Sequence, residues 1–178
     1  GDFLAISLNS EFDIRNDRLL PHSGKYFRLV FDGGVDKKAM YLKTNFEYQL
    51  FLNVLRNSYA KIQTVSHAIH YLNEPVPKYR YFKLGGSSSL RGINEESLLK
   101  PQFHIFTLEF IQQQKRTLQI KSFLDLGLDR VANFKENLYG YGFGIKNVND
   151  KIIFSIDYSL SSRRLESGKI HFKWSARL

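Results

Sequence analysis

The chain has 178 residues and carries 26 Lys and Arg against 17 Asp and Glu, a formal charge of +9, with 15 Phe, 10 Tyr and a single Trp. That length holds one domain, expected over 1–178, and the absence of Cys removes disulfides, thiolate metal sites and cysteine nucleophiles. A composition of 43% hydrophobic and 24% charged residues excludes a disordered tail, and no apolar run approaches the ~20 residues of a membrane-spanning helix. Gly1 opens directly on polar–apolar alternation, so the chain is expected to carry no signal peptide.

Period-two alternation dominates from end to end. Leu4, Ile6, Leu8 and Phe12 share one face of a first strand, opposite Ser7, Asn9, Glu11 and Asp13. Phe27, Leu29 and Phe31 then oppose Tyr26, Arg28 and Asp32, and Leu42, Phe46, Tyr48 and Leu50 oppose Lys43, Asn45, Glu47 and Gln49. Tyr59 to Tyr71 is mixed, without clean alternation. The pattern resumes with Phe106, Leu108 and Phe110, and with Leu118, Ile120, Leu124 and Leu126 against Gln119, Lys121 and Asp125. Tyr139, Tyr141, Phe143 and Ile145 alternate with Gly140, Gly142 and Gly144; Ile152, Phe154, Ile156 and Tyr158 alternate with Ser155, Asp157 and Ser159. Ile170, Phe172, Trp174 and Leu178 close the chain against Lys169, His171, Lys173 and Arg177.

These segments predict an all-β antiparallel meander with no helix, turning at sites such as Asp32-Gly33-Gly34 and Asn147 to Asp150. One long connection, about 73–101, interrupts it, and connections of that length in compact domains are usually functional. Alternation suits a soluble barrel and an outer-membrane barrel equally. The membrane alternative is favoured by apolar faces rich in Tyr, Phe and Trp, by the Tyr-Gly-Tyr-Gly-Phe-Gly run that suits a crowded interior, and by a last strand running to the final residue. The phase then sends Leu8, Phe46, Leu108, Leu124, Phe154 and Phe172 to lipid and Glu47, Lys121, Asp125, Asp157 and Lys173 to the lumen. Single-chain bacterial barrels have even strand numbers, so the expectation is an up-and-down transmembrane β-barrel of about eight strands, every strand paired.

No catalytic constellation emerges, so the chain is expected not to be an enzyme and to use no cofactor. His67 and His70 differ by an odd number and point to opposite faces, which denies them a shared metal. Lys169, His171 and Lys173 share a face and read as a polar lumen wall balanced by Glu47, Asp125 or Asp157. Ser87 to Ser89 have no His at a useful spacing for a nucleophile. A basic, aromatic-rich barrel is also what a single-strand nucleic-acid binder needs, but here aromatics and charges occupy opposite faces, where a binder wants them together. No nucleic-acid partner is therefore expected. A soluble ligand-carrying barrel is a third alternative.

The sharpest motif is Tyr81-Phe82-Lys83-Leu84-Gly85-Gly86-Ser87-Ser88-Ser89-Leu90-Arg91-Gly92-Ile93. It is not a phosphate loop, since no Gly-Lys-Ser/Thr follows and no helix opens after it. Alone it reads as a flexible Gly/Ser loop with a solvated Arg. Two further segments change that reading: Phe123-Leu124-Asp125-Leu126-Gly127, and Asp13-Ile14-Arg15-Asn16-Asp17 followed by Pro21-His22-Ser23-Gly24.

The three, which follow the family's order along the chain, resemble the BamA-type superfamily of outer-membrane barrels, the bacterial surface antigen family. The first is similar to its Gly-Gly-Ser-Ser…Arg-Gly loop signature, the second to its Phe-x-Asp-x-Gly strand, the third to its Asp-x-Arg-(Asp/Asn), Pro-x-x-Gly hairpin. Ile93 and the terminal Leu178 depart from the aromatic residues common at those places. The resemblance covers the C-terminal half of the family's sixteen-stranded barrel, about its last nine strands, without POTRA modules. Three closures follow: missing partner strands, a small self-closed barrel, or two copies completing one ring as a homodimer.

The resemblance implies that the long loop folds into the barrel, that Arg91 pairs with Asp125, and that Gly85, Gly86, Ser87 and Ser88 form the loop signature. Gly92 would let the backbone pass close to the wall. Independently, Asp125 lies in phase with Gln119 and Lys121, on the polar face. By resemblance the chain resides in the bacterial outer membrane, contacts its lipid, and takes part in assembly, insertion or translocation of unfolded outer-membrane protein clients. The alternative is a small structural or pore-forming barrel without assembly activity.

Overall fold

The computed structural model describes residues 4–36, 39–128, 138–149, 152–161 and 164–176. Among the described residues the chain folds as one antiparallel meander of nine strands plus a small hairpin set into its long loop. The meander strands are β1 (Leu4–Asp13), β2 (Gly24–Asp36), β3 (Ala39–Leu55), β4 (Ser58–Tyr71), β7 (Gln102–Lys115), β8 (Leu118–Leu128), β9 (Leu138–Val148), β10 (Ile152–Ser161) and β11 (Arg164–Ala176). The loop between β4 and β7 holds a single 3-10 turn, Lys78–Arg80, and the hairpin of β5 (Phe82–Leu84) and β6 (Leu98–Lys100).

The outer face matches the alternation. Leu8, Leu108, Leu124, Phe154 and Phe172 are exposed on it, and Trp174 is 72% exposed. Exposed aromatics on this scale are what lipid-facing strands display. Phe46 lies on the same face, edge-on to Phe27 with ring centres 5.7 Å apart. The opposite face carries Glu47, Lys121, Asp157 and Lys173 around a shared cavity, with Asp125 fully buried. The sheet curls enough that Lys146 of β9 donates to the carbonyl of Leu19, in the β1–β2 connection, at 2.6 Å.

Three expectations change. The sheet has nine strands, not eight, because the mixed segment at Tyr59 to Tyr71 is the fully paired β4. Its alternation is blurred because the long loop covers its inner face, so Val65 and Ile69 point inward as apolar residues under that cover. Closure is not seen: among the described residues β1 pairs only with β2, and β11 only with β10. Nine antiparallel strands send β1 and β11 in the same direction, so these two cannot meet in an antiparallel ladder. Finally, Asp32-Gly33-Gly34 is no turn. It lies within β2, paired to Ser7, Ile6 and Ala5 of β1. Asp150 and the terminal Arg177 and Leu178 lie outside the described residues.

The end with the long loop is here the loop end. The turn end holds the two-residue connections β3–β4 and β7–β8, of which the first uses Asn57 at a φ of +63°. The buried apolar core sits at the loop end, inside the curl: Leu84, Leu90 and Ile93 of the loop pack on Phe103 and Ile105 of β7, with Val65, Phe82, Leu98 and Leu138 around them. Ile93 therefore supplies the apolar contact at its motif position without an aromatic ring.

Candidate functional site

The site forms where the loop meets the inner wall of β7, β8 and β10. Alternation aims Thr107 and Glu109 of β7, Phe123 and Asp125 of β8, and Asp157 of β10 at the same interior. Strand pairing sets Thr107 beside Asp125 and Glu109 beside Phe123. The loop brings Arg91 down onto this wall. Its Nε donates to Asp125 Oδ2 and its Nη2 to Asp125 Oδ1, both at 2.7 Å, a bidentate fork in which each carboxylate oxygen takes one N–H. The Arg91 backbone N–H adds a third bond to Oδ2 at 3.2 Å, and Thr107 Oγ1 donates to Oδ1 at 2.8 Å.

Asp125 has no exposed surface and Arg91 is buried, so their charges depend on one another and on their neighbours. Arg91 Nη1 reaches Glu109 Oε1 at 2.7 Å and lies 3.6 Å from Asp157 Oδ2. Lys121 meets Asp157 at 2.9 Å, and Lys61 lies 3.6 Å from Glu109. Three carboxylates thus share three cations, which keeps every buried charge partnered. The guanidinium also sits 3.5 Å over the Phe123 ring, a cation–π contact stripped of water.

Gly92 is held by geometry as well as by bonding. Its φ is +88°, and a Cβ there would come within 2.7 Å of the Leu160 carbonyl oxygen of β10. Its N–H donates to His171 Nε2 of β11 at 3.2 Å, which requires that nitrogen to be unprotonated. On the same wall, Gly140 of β9, paired with Asp125, leaves room for the Arg91 carbonyl, which a side chain would strike.

The remaining signature residues come earlier in the loop and make no hydrogen bond to Asp125, Glu109 or Asp157. Gly85 and Gly86 take φ values of +109° and +90°. Gly85 N–H donates to Ser89 Oγ at 2.8 Å, and Gly86 N–H to the Leu90 carbonyl at 3.1 Å. The Ser87 N–H and the Ser88 hydroxyl donate to the Glu95 carboxylate at 3.0 and 3.4 Å. These bonds fold the Gly-Gly-Ser-Ser stretch into a compact knuckle. Arg91, Gly92 and Asp125 come together; Gly85 to Ser88 shape the turn that delivers them.

Sequence reasoning missed Glu109, Phe123, Asp157, His171 and Glu95 as members of the site. A signal existed for the first two. Glu109 and Thr107 stand opposite the apolar Phe106, Leu108 and Phe110, and Phe123 is two residues from Asp125 and so on its face. The proposed balancing of Lys169, His171 and Lys173 is redistributed. Lys169 Nζ donates to Asn94 Oδ1 at 2.5 Å, and His171 takes the Gly92 N–H. Lys173 has no ion-pair partner among the described residues. His67 packs inward, stacked on Phe103 at 4.8 Å, while His70 is exposed.

The hairpin motif is also built. Arg15 grips Asp13 through Nε and Nη2 at 2.8 and 2.7 Å and lies 4.6 Å over Tyr26. Asn16 Oδ1 accepts the N–H groups of His22 and Ser23, and Asp17 Oδ1 those of Leu19 and Leu20.

Residues 2–146 match the model of the Omp85 superfamily domain. No curated protein matches. Among solved structures the chain resembles the crystal structure of BamA from Haemophilus ducreyi lacking POTRA domains 1–3, with a TM-score of 0.79 and 13% identity, over 96% of this chain and 41% of that one. The likeness is one of fold, and the chain spans about two-fifths of that protein. The family match covers most of the sequence: the chain belongs to the Omp85 superfamily and is a β-barrel protein of the bacterial outer membrane.

Proposed function

We propose that the chain forms the loop-bearing part of a barrel that assists insertion or translocation of outer-membrane polypeptides, with Arg91, Gly92 and Asp125 as the lock that holds the loop inside. The observation that carries this reading is the fully buried, bidentate Arg91–Asp125 pair. A loop fixed at the wall by one shared charge cluster gives the barrel a defined interior while its outer strands stay free to exchange partners. Client strands would add at a sheet edge through main-chain hydrogen bonds, which any sequence can supply. The exposed outer aromatics and aliphatics would contact outer-membrane lipid, and no step calls for a cofactor or a covalent intermediate.

Edges in lipid need cover. Closing this sheet with antiparallel ladders takes an odd number of further strands, whereas two copies facing the same way would meet β11 to β1 in parallel. The homodimer is thus the less favourable closure. Native mass spectrometry in detergent should show no species at twice the chain mass, and a dominant dimer would reverse that choice.

The activity is tested by reconstituting the chain in vesicles and following an unfolded outer-membrane barrel client into its protease-protected, heat-modifiable form. The wild type should accelerate insertion over empty vesicles, and Arg91→Gln should remove most of that gain. Insertion no faster than in empty vesicles would leave the structural or pore-forming barrel as the function.

A further inference from the structure

The inner wall carries a second charged arrangement that the loop does not use. Lys146 of β9, Ser155 of β10 and Lys173 of β11 form one row across three strands, Ser155 being paired with Lys146 on one side and with Lys173 on the other. Gln119 of β8 extends the row beside Lys146. All four line a cavity of about 500 Å³. Strand spacing puts the two lysine backbones roughly 10 Å apart with the serine midway, and their flexible stems let both ammonium groups converge on its hydroxyl.

The carboxylates of this interior are hydrogen-bonded elsewhere, Glu47 to the side-chain amides of Gln49 and Gln63. Asp125 and Glu109 bond to Arg91, and Asp157 to Lys121. Lys146 donates only to the Leu19 carbonyl, a neutral partner, and neither it nor Lys173 has an ion pair among the described residues. The cavity lining holds seven Lys and Arg side chains against the carboxylates of Glu47, Glu109 and Asp157, so the two lysines of the row sit in an excess of positive charge. An anion from outside the chain would offset that excess.

We propose that the Lys146–Ser155–Lys173 row binds a phosphate-type oxyanion. A doubly charged tetrahedral group matches two ammonium donors and the hydroxyl at once, while a singly charged carboxylate would leave one ammonium uncompensated. The group can be free phosphate entering from the aqueous phase or the phosphomonoester of a lipid headgroup. The site is independent of the loop lock and of the insertion reading.

The test titrates the full chain in a zwitterionic detergent by calorimetry, with inorganic pyrophosphate in one arm and a short-chain phosphatidic acid in the other. Saturable binding is expected in at least one arm; pyrophosphate alone identifies the free anion as source, and phosphatidic acid alone the headgroup. Lys146→Gln and Lys173→Gln should each weaken binding about tenfold, the loss of one charge-assisted hydrogen bond. Lys146→Arg should retain it, and Lys115→Gln, at the exposed β7–β8 turn, should change nothing. Ser155→Glu, which keeps the row paired and places a carboxylate between the lysines, should abolish binding even if the lysine variants fail to fold. Absence of binding in both arms, or binding that survives Ser155→Glu, would overturn the site.

Discussion

The inner wall of one continuous sheet presents two environments on the same alternation. At the loop end its polar residues are buried: Asp125 has no exposed surface, Arg91, Glu109 and Asp157 are buried although they border the central cavity, and an apolar cluster of Leu84, Leu90, Ile93, Phe103 and Ile105 lies at the same end. Toward the turn end the same cavity is lined by Lys146 and Lys173, which form no ion pair among the described residues. Alternation decides which face is polar. The loop decides whether a polar residue there is a surface charge, worth little, or a buried one on which the fold depends.

That contrast ranks the expected effects. The largest belong to the loop end. Arg91→Ala or Asp125→Ala should destabilise by about 3–5 kcal/mol, the cost of stranding a buried charge. Arg91→Ala should be the worse, since it leaves Asp125, Glu109 and Asp157 to Lys61 and Lys121 alone. Urea unfolding in detergent, followed by tryptophan fluorescence of Trp174 and by heat-modifiable mobility, measures both. A loss below about 1 kcal/mol, the range of exposed pairs, would mean that water reaches the cluster.

Gly92→Ala should cost about 1–3 kcal/mol, combining a positive φ with the approach to the Leu160 carbonyl. The same unfolding experiment reads it, and proteolysis of the loop should quicken in parallel. A silent Gly92→Ala would show that the loop can dock without that close passage. Phe123→Leu keeps apolar bulk but removes the ring face beneath Arg91, so about 1–2 kcal/mol should be lost. In the Arg91→Ala background this substitution should cost distinctly less, because the cation it serves is gone.

The smallest effect belongs to the turn end. Asp17 accepts the backbone N–H groups of Leu20 and Leu19, which hold its carboxyl below the ordinary range. A lowered folded value means that its contribution is present above the unfolded carboxylate pKa of about 3.9 and disappears as pH falls through the folded value. Asp17→Asn should therefore cost about 0.5 kcal/mol at pH 7, typical of a water-exposed hydrogen bond, and nothing in strong acid. An effect that persists at low pH would assign Asp17 a role other than its charge.

The same two regions explain how far the sequence could be read. Along β1, β3, β8 and β11 one face is apolar and the other polar, so period two alone located the strands and separated Leu124 from Asp125. β4 failed that reading because the loop, distant in sequence, makes part of its polar face apolar; no local pattern records a cover that arrives from elsewhere. Asp32-Gly33-Gly34 failed because glycines that punctuate turns also suit a tightly paired strand; a Cβ at Gly34 would run into the Tyr41 side chain. In the site, alternation alone turns Asp125 inward, but its pairing with Arg91 was legible only through motif resemblance, since a buried ion pair leaves no periodic trace. Glu109 and Asp157 join through strand neighbours, and their membership depends on a register that the sequence does not state.

The most direct measurement of the central claim is the double-mutant cycle on Arg91 and Asp125, read as unfolding free energy of the detergent-folded chain. A loop locked to the wall predicts a coupling of about 2–3 kcal/mol, the double variant losing clearly less than the two single losses together. Additive losses, with coupling near zero, would mean that Arg91 stands in water and the loop is not held by this pair.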